Sequence, residues 1–203
     1  MERGEQVAAK TDNLDTRLTI AAHHEAGHIV IAAAMGLRLR PEGIMVDKGA
    51  WGLACFYKEP DESDESKESI IVATVAGYLA QKRFCEEHGY SCPLPDDLEV
   101  TLSPDSKEAR GIETNLSRQY LGKRTVPEVH ELLQQRAAEL VLQHWPAIEA
   151  VAREVASTSL APLKPLKSGT QWSDQTSARS LPGDEVVKIV ERFGIKAVCV
   201  TES

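Results

Sequence analysis

The stretch AAHHEAGHIVIAAAMG, residues 21–36, constrains this chain more than any other. Leu18, Ala22, Ala26, Ile29 and Ala33 recur at intervals of three and four, the spacing of one helix face. The expected helix covers residues 16–35, with Asp15 or Thr16 as its N-cap and Gly36 as its C-cap. Into this apolar helix the sequence inserts His24, Glu25 and His28. Residues four apart lie one turn apart on the same face, so His24 and His28 can direct both imidazoles at one ion. Neutral imidazole is a preferred zinc ligand, and a catalytic zinc takes three protein ligands plus a water. Glu25 follows the first ligand directly, where a carboxylate can take the proton of a water acidified by zinc. This is the H-E-x-x-H pattern with its mechanism. An ionised Glu25 in an apolar helix is costly without a metal or a partner. His23 points elsewhere around the helix and reads as a supporting or surface group.

Two histidines do not complete such a site. No third histidine follows at short spacing, which leaves carboxylates further on, or His88, His130 and His144. After the first helix, Ile44 to Val46 and Leu53 to Tyr57 read as two short strands. They flank the turn-like DKGAWG, whose glycines allow positive φ. The acidic KEPDESDESKE reads as a solvated loop leading into a helix over 66–87. The small residues in the middle of that helix permit close helix–helix approach. Residues 88–104 read as a loop and 105–121 as a helix. A longer helix starts at Pro127, with a break or kink at Pro146. Residues 157–180 lack periodicity and read as a flexible excursion. LPGDEVVKIVERFG reads as a short helix and KAVCV as a last strand. The expected fold is mainly α with a small β-hairpin or sheet. A polar tail covers 1–15 and a single domain covers 16–203.

The 203 residues suffice to bury a core without disulfides or metal as scaffolding. A formal net charge of -8 argues against nucleic acid as a partner, since phosphate binding relies on Lys and Arg. No stretch approaches the roughly 20 apolar residues of a membrane span, and the first fifteen residues lack a signal peptide's apolar run. The expected location is cytoplasmic. Cys55 and Cys199 read as buried thiols. Cys85, His88 and Cys92 form a weaker candidate metal set, with unusual spacing and no evident fourth ligand. There is no G-x-S-x-G elbow and no phosphate-binding glycine loop.

At several points in the same order, the sequence resembles the peptidase domain of the FtsH family of ATP-dependent zinc metalloproteases. HEAGH, the most specific of these, is similar to that family's metal-binding helix, and GIMVDKGAWGLACFY to its strand segment. VAGYLAQKRF looks like its glycine-alanine helix, and SPDSKEARG like its third-ligand segment. HWPAIEAVAREV and LPGDEVVKIVERFG look like its closing helices. The resemblance covers about 16–157 and 181–194. It implies an FtsH peptidase-like helical domain with His24, His28 and Asp105 as zinc ligands and Glu25 as catalytic base. Asp97, which precedes a leucine as in many members, is the rival third ligand; Asp105 also reads as a plain N-cap. The family usually has Glu where this chain has Gln81. No Walker A loop or membrane segment accompanies the domain here.

The expected activity is therefore zinc-dependent hydrolysis of peptide bonds, ATP-independent for this chain by itself. Peptides or unfolded protein segments are the expected substrates, held as an added strand against an edge near residues 49–56. A separate ATPase or a homo-oligomer are the partners to consider. Two alternatives stand beside it. One is a non-catalytic zinc-containing protein-binding module on the same scaffold; the other is a metal-free helical interaction protein.

Overall fold

A computed structural model describes residues 13–57, 64–91, 126–162 and 177–200. The described chain is mainly helical with one small antiparallel sheet. In order come helix α1 (Leu14–Ala34), strands β1 (Leu39–Asp47) and β2 (Gly52–Phe56), and helix α2 (Asp64–His88). Helices α3 (Val126–Gln143) and α4 (Trp145–Ser157), strands β3 (Ala161–Pro162) and β4 (Ser177–Leu181), and helix α5 (Gly183–Glu191) follow. The helix expected over 105–121 lies outside the described residues, as do Asp97, Asp105 and Cys92.

Helix α1 starts slightly earlier than its apolar pattern suggests. The cap is Asn13, not Asp15 or Thr16: its side-chain oxygen accepts the Thr16 N–H at 2.8 Å, satisfying a first-turn donor. At the other end Gly36 takes φ +79°, and the N–H groups of Gly36 and Leu37 donate to the carbonyls of Ala33 and Ala32. Between the caps α1 is buried nearly all round, because α2, α4, β1 and β2 all pack on it. Its side chains Leu18, Ile29 and Ile31 join Ile70 and Ile71 of α2, Leu133 of α3 and Ile148 of α4 in the core. Each such side chain contributes about 1.5–3 kcal/mol by leaving water. The helical core, rather than the short sheet, therefore supplies most of the driving force.

The α1–α2 crossing is a backbone-to-backbone contact. A Cβ on Gly27 would lie 2.7 Å from both the Ala76 carbonyl oxygen and the Ala80 Cβ. Gly27 of α1 and Gly77 of α2 face each other there, and no larger residue fits without separating the helices.

The sheet order is β2-β1-β4-β3. Strands β1 and β2 form the expected hairpin, with Ile44 opposite Ala54 and Val46 opposite Gly52. Its turn is held by Asp47, whose Oδ1 accepts the N–H groups of Gly49 and Trp51 at 2.8 and 2.9 Å. The positive φ falls on Ala50 (64°) rather than on a glycine of the turn. The stretch expected as an excursion, 157–180, contains β3 and most of β4, and β4 is a central strand between β1 and β3. Its SARSL sequence carries little strand signal; pairing with β1 gives it order. The KAVCV segment makes only an isolated bridge, Cys199 to Leu39. The helical pattern after Pro127 breaks at His144, and Pro146 sits in the first turn of α4, where its missing N–H leaves nothing unsatisfied.

Candidate metal and catalytic centre

The site begins with the helical repeat of α1. His24 and His28 share one face, with ring centroids 4.7 Å apart and ring planes at 81°. Their Nε2 atoms approach to 3.0 Å. Both rings are held from behind by α2. The Nδ1 of His28 meets the Ala73 carbonyl oxygen at 2.9 Å, and the Nδ1 of His24 meets the Gln81 Oε1 at 2.8 Å. A carbonyl oxygen only accepts, so the Nδ1 of His28 carries the proton and its Nε2 presents a lone pair to the Nε2 of His24. With the Gln81 oxygen facing it, His24 is in the same tautomer. The two Nε2 atoms then face the same point, and both histidines make further interactions besides these.

Gly77 makes this geometry possible. A Cβ at that position would overlap the His28 ring, with the ring Cδ2 2.7 Å away. The ring therefore lies directly over α2 backbone. Glu25, only 8% exposed, projects toward the sheet. Its carboxyl carbon would lie 2.6 Å from a Cβ on Gly52, the first residue of β2. The absence of a side chain at Gly52 makes the room that the carboxylate fills. A histidine pair on one side of α1 and a carboxylate against an end strand thus share a single helical turn.

His23 is not a surface group. It is 5% exposed and stacked on Phe84 at 3.8 Å between ring centroids, with Trp145 at 5.9 Å. Burial pushes its pKa down to about 4, against the opposing effect of its Nδ1 contact with the Thr19 carbonyl. It is a core histidine, neutral at physiological pH.

Among the described residues, no third His, Cys, Asp or Glu joins the pair in a group able to hold a metal. His88 has its Nδ1 on the Phe84 carbonyl at 2.9 Å, His130 lies on α3, and His144 is the N-cap residue of α4. Burial lowers the His144 pKa. Cys85 is buried in the core and Cys55 is buried as well, while Cys199 is partly exposed. The candidate third ligands Asp105 and Asp97 fall outside the described residues, as does Cys92.

Residue types and spacing do not disclose the Ala73 carbonyl or the Gly52 contact. A backbone oxygen has no sequence signature, and Gly52 reads as an ordinary turn glycine. Gly77 reads as a small residue for helix approach; its further role under the His28 ring appears only when the two helices are docked.

No family model matches this chain. A search among curated proteins finds no match either. Among the described residues, no helix is long and apolar enough to cross a membrane.

Proposed function

We propose that the protein is a zinc-dependent metallopeptidase of the FtsH peptidase type, able to hydrolyse peptide bonds. The observation that carries this reading is the convergence of the His24 and His28 Nε2 atoms at 3.0 Å, each ring tied at Nδ1 to an oxygen of α2. Metal-binding histidines are characteristically held in this way, with the second ring nitrogen fixed by an acceptor. The donor set is two neutral imidazoles and one carboxylate from elsewhere, and it suits zinc. Asp105 is the proposed third ligand, by its position in the segment that resembles the family's.

When bound, zinc supplies Lewis-acid chemistry: it polarises the scissile carbonyl and acidifies a water. The chain's own residues do the rest. His24 and His28 hold their lone pairs in place without rotating, since each ring is pinned from α2. Glu25, held against Gly52 on the same turn of α1, takes a proton from the attacking water at its carboxylate and returns it to the leaving amine. Strand β2 stands at one end of the sheet order. An extended peptide can add there through main-chain hydrogen bonds, bringing its backbone past Gly52 and the Glu25 carboxylate.

Metal analysis of the wild type and of His24→Ala, Asp105→Ala and Asp97→Ala, followed by a peptidase assay of Glu25→Gln, tests the proposal. One zinc per chain is expected, lost with His24 and Asp105. Glu25→Gln is expected to keep the zinc and lose cleavage. Cleavage at wild-type rate by Glu25→Gln would refute the assigned role, and absence of zinc after reconstitution would remove the metal reading altogether.

A further inference from the structure

The turn between β1 and β2 carries the most exposed large apolar side chain among the described residues. Trp51 is 72% exposed, and it directly precedes Gly52, the residue against which the Glu25 carboxylate lies. Its backbone is fixed on both sides. The Trp51 N–H donates to the Asp47 Oδ1 at 2.9 Å, and the Trp51 carbonyl accepts the Asp47 N–H at 2.8 Å. The indole Cδ1 would lie 3.4 Å from a Cβ on Gly49, so one edge of the ring rests beside its own turn. Ala50, just before it, holds φ 64°, a left-handed conformation that is costly for a residue with a Cβ. Neither feature helps the fold: the alanine is strained, and the indole forgoes burial. Both stand next to the place where Glu25 presents its carboxylate.

The pleat decides what the indole can touch. Gly52 pairs with Val46, and a Cβ on it would point at Glu25 of α1. Trp51 is the adjacent residue of the same ladder and belongs to the other face. A peptide added to β2 follows the same alternation. Its residue opposite Gly52 turns toward α1 and the Glu25 carboxylate. Its neighbour, opposite Trp51, turns the other way and onto the indole, because directly opposite residues share a face. Main-chain hydrogen bonds hold a strand of any sequence, and the indole adds a side-chain contact one residue from the reacting bond. From this we infer that Trp51 is a specificity-determining residue that selects an aromatic or large aliphatic substrate side chain at the position next to the one facing Glu25, an inference that rests on the peptidase reading above.

Quenched-fluorescence peptides that differ in one residue, Phe, Leu, Gly or Asp, placed in turn at each position around the cleaved bond, test this on zinc-loaded wild type, Trp51→Ala, Trp51→Phe, Trp51→Lys and Glu25→Gln. At one position the wild type should favour Phe and Leu over Gly by about 10-fold in kcat/KM, the scale of one buried aromatic contact. Trp51→Ala should lose that ratio while cleaving the Gly peptide as the wild type does. Trp51→Phe should keep the preference, and Trp51→Lys should turn it toward Asp, a gain that a merely structural role would not produce. Trp51→Ala should retain its zinc and melt within about 2 °C of the wild type, since its side chain is exposed. An unchanged Phe-to-Gly ratio in Trp51→Ala, with cleavage still abolished in Glu25→Gln, overturns the inference and leaves the peptidase reading standing. So does an unchanged ratio together with loss of sedimentation on phosphatidylcholine vesicles, which would assign the indole to a lipid surface. No cleavage of any of the peptides by the zinc-loaded wild type, or equal cleavage by Glu25→Gln, overturns the peptidase reading and the inference with it.

Discussion

Substituting Gly77 by alanine separates the metal reading from a purely structural one. The new methyl group would overlap the His28 ring, which is buried and tied by its Nδ1 to the Ala73 carbonyl at 2.9 Å. The clash can relieve itself by parting α1 from α2 or by turning the ring out. Parting the helices disturbs the Gly27 contact with Ala76 and Ala80, so rotation of the ring is the cheaper route. Overpacking of this kind costs about 1–3 kcal/mol. Losing the Nδ1 hydrogen bond adds about 0.5–1.5 kcal/mol. Replacing a mid-helix glycine by alanine returns about 1 kcal/mol. The net loss is about 0.5–3.5 kcal/mol, which at about 2–4 °C per kcal/mol lowers the melting temperature by up to roughly 14 °C and leaves a folded protein. Zinc affinity should fall far more, by at least about 100-fold, the upper end of what losing a group that merely supports a ligand costs. Thermal unfolding and a chelator competition on the same preparation check both numbers. A folded Gly77→Ala protein that binds zinc as the wild type does would refute the argument that the His28 ring is a ligand seated over Gly77.

Three further outcomes follow from the same geometry. Gly52→Ala puts a Cβ 2.6 Å from the Glu25 carboxyl carbon; a flexible carboxylate can swing aside at small cost in stability. Urea denaturation should change by less than about 1 kcal/mol and zinc content not at all, while peptide cleavage drops about 100-fold from the misplaced base. Gly27→Ala meets the Ala76 carbonyl and Ala80 Cβ, neither of which can swing, so it should be destabilising despite the gain in helix propensity. Adding Ala80→Gly should recover part of that loss in a double-mutant cycle, and strict additivity would count against direct contact. For His23, the folded pKa of about 4 lies below the ordinary 6.5, so between those values the unfolded chain binds the proton that the folded one excludes. Stability therefore falls as pH drops through this window, by about 2 kcal/mol from this group between pH 7 and pH 5. His23→Phe, which can keep a ring against Phe84, should flatten that part of the curve in urea titrations at the two pH values. An unchanged slope would mean that the buried ring is protonated without penalty.

The local character of the centre was legible in the sequence. Helix α1, the pairing of His24 with His28 on one face, and the glutamate between them all follow from helical spacing and residue chemistry. So do the hairpin after Gly36 and the break near Pro146, because glycine and proline act on the backbone locally. Other features depend on what docks against what. His23 lies one residue from His24 and differs from it in nothing but direction; only the packing of Phe84 and Trp145 makes it a core residue with a depressed pKa. Strand β4 is polar and short, and the neighbouring β1 edge gives it order. The Ala73 carbonyl and the Gln81 amide become the anchors of the two rings because the glycines let α1 and α2 approach backbone to backbone. Periodicity therefore determined which residues face together along one helix. The tertiary structure alone decided which atoms of another helix meet them, since hydrogen bonds across 45 and 57 residues of chain depend on how the helices pack and not on any local pattern.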